Sequence, residues 1–457
     1  MKKTKKINLN AKNIYFIGIG GVSMSGLAHI LNSMGYIVSG SDRDKSPQTQ
    51  VLEKKGIKIN YNHSKENITD DIDIVVYTAA IKDDNPEYQA ATQKNIKIWT
   101  RAMLLGKLIE EYQYSVCVAG THGKTTTTSM IGYLLRNLTP TISVGAMVDY
   151  IGGNFKLGDS EYFVVESCEY NDSFLEFSPY IGVILNLEYD HPDHFKDLAQ
   201  LEESFKTFAN NTRGFLVINK NIKNYKEIVA DTSAKVLTFG NQKTADIMYS
   251  KFVQKSKGKK AISDFMLTIN YQRRKISVPL IGKHNIENAV AALAVCDILK
   301  VTLPIQPFYG YKNPHRRLEY KGVTKNGTII IDDYAHHPTE IKSTLQTLRK
   351  TYPQKEIICL FQPHTYSRTI GLLKDFSTCF VDADKVLLLD IYAAREKDAG
   401  EIHSKDLQKS IKTPKALYFE SESSVLEFLQ NNLTNKNLLI TMGATNLYLI
   451  GEALLGG

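Results

Sequence analysis

The turn Gly120-Thr121-His122-Gly123-Lys124-Thr125-Thr126 carries the strongest chemical signal in this chain. An apolar run precedes it and a helical pattern follows, a context in which backbone N–H groups cradle phosphate oxygens. Lys124 would face the β- and γ-phosphates of ATP, and the Thr125 hydroxyl would ligate Mg2+. The longer phosphate-loop pattern has a further glycine where this chain has Val118, so the match is to a shorter G-x-x-G-K-T form.

Other sets of residues point the same way. Gly18-Ile19-Gly20-Gly21-Val22-Ser23 is a second turn between strand and helix, and Asp42 ends the next strand about 20 residues on, the layout of a dinucleotide site. That spacing does not separate NAD from a UDP-sugar. Glu166-Ser167-Cys168-Glu169 and Asn186-Leu187-Glu188-Tyr189-Asp190-His191 each follow an expected strand. Ligands of open α/β sheets gather beyond the carboxyl ends of strands, so both segments belong beside the phosphate loop, with Glu166 a candidate Mg2+ ligand. In the last third, Asp332-Asp333-Tyr334-Ala335-His336-His337-Pro338 and Pro363-His364-Thr365-Tyr366-Ser367-Arg368 make a cationic, polar group suited to anions. Zinc is its rival, weakened because no third ligand stands at a convincing spacing and no cysteine helps.

Alternating β and α patterns must position these residues, which argues for parallel sheets covered by helices. In the first block, strands are expected at 13–19, 36–41 and 73–77, with helices at 23–34 and from Pro86. In the second, strands are expected at 114–119, 162–166 and 181–186, with helices at 124–135 and 285–299. Residues 245–280 read as short alternating β segments, and Pro304, Pro307 and Pro314 mark a linker. The third block expects strands at 328–332, 355–361, 385–389 and 437–442. The expected domains are 1–106, 107–313 and 314–457.

Composition bounds the rest. With 43% hydrophobic and 23% charged residues the chain belongs among soluble globular proteins, and no apolar run is long enough to span a membrane. The four lysines among residues 1–10 lead into a strand pattern, not a signal peptide, so a cytoplasmic location is expected. The net charge of +8 fits anionic small substrates. Its densest cluster, Lys255 to Lys260, reads as a solvated hairpin, so no nucleic-acid partner is expected. Five scattered cysteines read as packing thiols.

The segments GIGGVSMSG, GTHGKTTT, NLEYDH, GKHNIENA, DDYAHHP and FQPHTYSR, in this order, resemble the Mur ligases over nearly the whole chain, and most closely those members that add L-alanine. The resemblance implies a Rossmann-like UDP-binding domain, a central phosphate-loop ATPase domain with a mostly parallel sheet, and a carboxyl-terminal Rossmann-like α/β domain that brings in the amino acid. It implies ATP, Mg2+, UDP-N-acetylmuramate and L-alanine as ligands, and a monomer or homodimer. It places Gly18, Gly20, Gly21 and Ser23 at the UDP diphosphate, with Asp42 near that nucleotide. Gly120 to Thr126 would hold the ATP phosphates, His284, Asn285 and Asn288 approach adenine, and Asp333 contact the ribose. Arg317 would lie close to the phosphates, and Glu166 and His191 would ligate Mg2+. Tyr334, His336, His364 and Arg368 would surround L-alanine, with His191 or His336 taking the proton of its amine.

Two departures stand out. Thr365 occupies a position where many members have arginine, with Arg395 a candidate to supply that charge, and TMGATNLY replaces the commoner TMGAGD. A ligase that recycles a whole peptide onto the same UDP-sugar is the alternative. A nicotinamide oxidoreductase would leave the phosphate loop unexplained, and a mere nucleotide-binding module would not need the acidic and histidine sets.

Overall fold

The computed structural model describes residues 8–78, 80–257, 260–394 and 396–456. Arg395 lies outside them. Among the described residues the strands form three sheets that follow one another along the chain. The first holds β1 (Asn13–Ile17), β2 (Ile37–Ser41), β3 (Lys58–Asn60), β4 (Ile74–Tyr77) and β5 (Lys97–Thr100). Their order is β3-β2-β1-β4-β5 and all neighbours are parallel. Continuous apolar strands such as β1 suit a sheet covered on both faces.

The second sheet is built from β6 (Tyr114–Ala119), β7 (Thr141–Val148), β8 (Gly153–Lys156), β9 (Tyr162–Glu166), β10 (Ile181–Ile184), β11 (Phe215–Asn219), β12 (Lys235–Gly240), β13 (Ile247–Lys257), β14 (Lys260–Ile269) and β15 (Gln272–Val278). The order is β15-β14-β13-β12-β11-β10-β6-β9-β7-β8. Its centre is parallel, while β8 at one end and the β13–β15 meander at the other are antiparallel. The meander is the alternating stretch expected at 245–280, and Lys257 and Lys260 pair across its first turn. The third sheet holds β16 (Glu319–Val323), β17 (Ile329–Asp333), β18 (Glu356–Phe361), β19 (Lys385–Leu388), β20 (Lys415–Tyr418) and β21 (Asn437–Met442). Its order is β16-β17-β21-β18-β19-β20, with only β16 antiparallel.

The helix Arg101–Glu110 carries the chain from the first sheet to the second. Residue 106, where the first domain was expected to end, lies inside it. The helix is continuous because Ala102, Leu104, Leu105, Leu108 and Ile109 form one buried face. That face joins a single apolar core with Phe163, Phe174 and Phe205 of the second domain. Tyr133 and Tyr311 join the proline-bearing segment to the helix Lys124–Leu134, with the Tyr133 hydroxyl donating to the Tyr309 carbonyl and the Tyr311 hydroxyl to Ser129 Oγ. No helix among the described residues is long and apolar enough to cross a membrane.

The Arg101–Glu110 helix packs closely on the segment Tyr170–Glu176. A Cβ at Gly106 would stand 2.2 Å from the Glu176 carbonyl oxygen. Gly106→Ala should therefore force the helix off its seat and destabilise the chain by about 1–3 kcal/mol, the usual range for overpacking. Thermal melting checks this, and an unchanged midpoint would contradict the close approach.

Candidate active site

β6 lies between β10 and β9, so its phosphate loop opens beside the ends of both. The loop enters the helix Lys124–Leu134 through Gly123, whose φ of 82° is left-handed and whose Cβ would meet Asn288 Oδ1 at 2.5 Å. That helix has no side-chain cap and no acid in its first turn, which leaves its leading N–H groups for an anion. The loop is held from the segment after β10. Asn186 Oδ1 accepts the His122 N–H at 2.8 Å and Asn186 Nδ2 donates to the His122 carbonyl at 2.9 Å. The Thr121 hydroxyl donates to the Glu188 carbonyl at 3.0 Å.

Lys124 folds back over the loop. Its Nζ donates to both oxygens of buried Glu169, at 3.0 and 2.8 Å, and to the Gly120 carbonyl at 2.5 Å. Burial disfavours the ammonium, but the Glu169 charge outweighs it and the pKa is raised. The Thr125 hydroxyl donates to Glu166 Oε1 at 2.9 Å, and Glu166 Oε2 accepts the Gly145 N–H at 2.6 Å. Arg317 reaches across from the third domain and donates to Thr125 Oγ1 at 3.0 Å, while its buried Nε has no partner. His191 Nε2 lies 3.9 Å from Glu169 Oε1, and burial lowers its pKa below the ordinary value.

A cavity of about 390 Å³ opens on this loop. His122, Gly123 and Thr126 line it from one side, His284, Asn285 and Asn288 from the helix Lys283–Ile298, and Arg317, Asp333 and Glu340 from the third domain. Gly120, Thr121, Lys124 and Thr125 complete the loop behind it. Burial holds His284 neutral, with a pKa pulled down to about 4, and its Nδ1 pairs with Ser343 Oγ at 3.0 Å. The Asp333 carboxylate accepts the N–H groups of Leu318 and Ala335, both at 2.7 Å, yet burial pushes its pKa up to about 7.

The residues assigned to the amino acid also come together. The rings of Tyr334 and His336 are 5.5 Å apart and those of His336 and His364 6.0 Å. Arg368 NH1 lies 3.2 Å from His364 Nδ1, and its Nε donates to buried Asp190 Oδ1 of the second domain at 2.8 Å. Burial, with Arg368 next, pulls His336 down to about 3 and His364 to about 4, so both are neutral. The TMGATNLY loop supports Arg316 instead of facing the cavity. The Gly443 carbonyl accepts from Arg316 NH2 at 2.7 Å, and the Tyr448 ring lies beneath its guanidinium.

Among the described residues, His122, Glu188 and His337 are spaced as a metal group. All three already have partners within the protein. His122 faces Glu188 at 3.2 Å and Glu340 at 3.3 Å, one carboxylate on each nitrogen. Burial opposes its charge, but those carboxylates push its pKa up to about 10. His337 Nδ1 accepts the Thr339 N–H, which leaves Nε2–H to donate to the Tyr189 carbonyl.

In the first domain, Gly18 takes a φ of 81° and Gly21 opens the helix Val22–Ser33. The Gly20 N–H donates to Asp42 Oδ2 at 2.7 Å, and a Cβ on Gly20 would meet that oxygen at 2.8 Å. The structure thus brings Gly20, Gly21, Ser23 and Asp42 around one turn, apart from the ATP set. Glu169, Asp190 and Glu340 were given no role from sequence. Their partners lie 45, 178 and over 200 residues away, so no local spacing marks them.

A nucleotide cradle closed by a third domain, with a second ligand turn on the first, is the layout of an enzyme that couples nucleotide cleavage to joining two molecules. Three family profiles cover the chain: "Mur ligase family, catalytic domain" at 13–113, "Mur ligase middle domain" at 118–296 and "Mur ligase, glutamate ligase domain" at 316–445. The chain belongs to the Mur ligase family, whose members are ATP-dependent. A UDP-N-acetylmuramate–L-alanine ligase of Caldanaerobacter subterraneus subsp. tengcongensis is 46% identical, with 97% of each chain covered. The crystal structure of UDP-N-acetylmuramate–alanine ligase from Thermotoga maritima is 27% identical, with a TM-score of 0.78 over 97% of this chain and 98% of that one. A murein peptide ligase from Psychrobacter arcticus shares the fold at 19% identity, with a TM-score of 0.68 and 98% of each chain covered.

The His122 pairing gives a pH signature. Its pKa is higher folded than in the unfolded chain, where histidine titrates near 6.5. Its stabilisation is therefore whole below about 6.5 and is lost as pH rises towards about 10. Glu340→Gln should melt lower than the parent at pH 7, and the gap should shrink by pH 10. A constant gap would contradict the pairing.

Proposed function

We propose that this chain joins L-alanine to the lactyl carboxylate of UDP-N-acetylmuramate with cleavage of ATP, in the making of peptidoglycan precursors. The observation that carries the reading is full-length kinship, at 46% identity, with a relative named for that reaction. The geometry supports it: the neutral imidazoles of His336 and His364 gather beside Arg368, and the Gly20 turn of the first domain stands apart from the phosphate loop.

A lactyl carboxylate oxygen attacks the γ-phosphorus, the bond to the β-phosphate oxygen breaks, and ADP leaves. The alanine nitrogen then attacks the acyl carbon of the acyl phosphate, inorganic phosphate leaves and the amine loses a proton. Carboxylate and triphosphate repel each other, so positioning and positive charge do most of the work. Lys124 would exchange Glu169 for phosphate oxygens, and the orphaned Nε of Arg317 would take another. Gly120 to Thr126 would seat the phosphates, His284, Asn285 and Asn288 the adenine, and Asp333 the ribose. Gly18, Gly20, Gly21, Ser23 and Asp42 would hold the UDP moiety, and Tyr334, His336, His364 and Arg368 the alanine. With its pKa near 3, His336 can accept a hydrogen bond from the amine but holds a proton weakly, so it suits orientation better than proton storage.

The adjacent oxygens of Thr125 and Glu166 fit the donor set of Mg2+, and neutral His191 offers a nitrogen nearby. Bound there, Mg2+ would neutralise charge on the β- and γ-phosphates.

Phosphate release with ATP, Mg2+ and UDP-N-acetylmuramate tests the reading. Release that requires L-alanine supports it, and release that prefers a tripeptide would move the chain to the peptide-recycling reaction. Lys124→Ala should lower turnover by ~10²-fold or more. Glu166→Ala should raise the Mg2+ concentration needed for half-maximal rate, and an unchanged titration would remove Glu166 as a ligand.

A further inference from the structure

We propose that the Arg101 guanidinium holds the diphosphate of the nucleotide-sugar. The inference rests on the UDP-sugar reading above and adds a residue to it. Arg101 opens the helix Arg101–Glu110 directly after β5, two strands from β1. Its side chain spans that gap, and NH1 donates to Ser23 Oγ at 3.2 Å. Ser23 lies in the first turn of the helix Val22–Ser33, which has neither a side-chain cap nor an acidic residue there.

Arg101 is half-buried and has no counter-ion among the described residues. Burial lowers its pKa, and among the described residues no carboxylate pairs with it. The partly buried Arg316, Arg349 and Arg368 each have an aspartate. A guanidinium presents a planar fork of donors that matches two oxygens of a phosphate, and one contact to a hydroxyl leaves most of that fork unused. A half-buried cation with no carboxylate beside it gains from an anion placed opposite it. The uncapped helix start, the glycine turn and the fork then converge on one place.

The position also links the two ligand sites. Asn154 of β8 donates to the Val22 carbonyl at 3.3 Å, so the second domain already touches this turn. Cys168, a neighbour of Arg101, stands between Glu166 and Glu169 in the chain.

Trp99, the single tryptophan, lies two residues before Arg101 and gives a fluorescence signal for UDP titration. Arg101→Gln should weaken UDP by ~10–100-fold, the range for a charge-assisted contact. ADP affinity should stay unchanged. Arg101→Lys, a point charge without the fork, should fall between the two. In steady state, the KM for the UDP-sugar should rise while kcat stays within about twofold, the mark of uniform binding. Unchanged UDP affinity in Arg101→Gln with ADP binding intact would overturn the proposal. A fall in kcat at constant KM would do so too, because Arg101 would then face the reacting carboxylate. If Arg101→Gln also loses ADP, parental UDP affinity in Arg101→Lys overturns it. Failure of the parent chain to bind UDP would instead remove the UDP-sugar reading itself.

Discussion

Lys124 places its ammonium against both oxygens of Glu169, and the rest of the site depends on how that charge is held. A phosphate-loop lysine must be charged and buried before any phosphate arrives. Burying it alone would cost more than its later contacts return, so a carboxylate occupies the place of the absent anion. The same device recurs around the cavity. Arg368 faces Asp190, His122 lies between Glu188 and Glu340, and Arg316 faces Asp332. Arg317 and Arg101 differ: each donates to a hydroxyl, on Thr125 and Ser23, and among the described residues neither is in a direct ion pair with a carboxylate.

These pairs also set how the domains meet. Parallel strands deliver their carboxyl ends to one edge of each sheet, and loops from those edges face each other across the cavity. The third domain touches the second there through His122 with Glu340, Arg317 with Thr125, and Arg368 with Asp190. None of these is a large apolar surface, whereas the first and second domains share one apolar core. Polar contacts between charged partners exchange for ligand charges more readily than a packed core opens. The joint between the second and third domains is therefore the more polar of the two.

Much of this was legible in the sequence. The strands at Tyr114–Ala119, Tyr162–Glu166 and Asn437–Met442 form over the residues expected, because apolar runs ending in glycine or acid mark buried parallel strands. The phosphate loop was legible because all its parts are local. β7 and β8 were not foreseen, since Gly145 and the turn at Gly152 break the pattern, yet β7 supplies the N–H that fixes Glu166. Glu340 was equally hidden. On its own helix it completes a capping box with His337, and only the fold reveals its second oxygen beside His122. Asp42 is a mixed case, read as a nucleotide contact and seen to brace the Gly20 turn.

Thr365 shows how a departure in sequence can leave geometry intact. Its φ of 69° with ψ of 144° is a strained conformation for a β-branched residue. The surroundings over-determine it. Its N–H donates to the Tyr392 carbonyl at 2.9 Å, and its own carbonyl accepts from Thr369 Oγ1 at 2.7 Å. Glu396 Oε2 takes the next two N–H groups, of Tyr366 and Ser367, at 2.6 and 3.0 Å. The strain belongs to the backbone path, which carries the chain from His364 to Arg368. Thr365 adds no charge to this edge of the site, and Arg368, already shared with Asp190 and His364, is the cation that turn supplies.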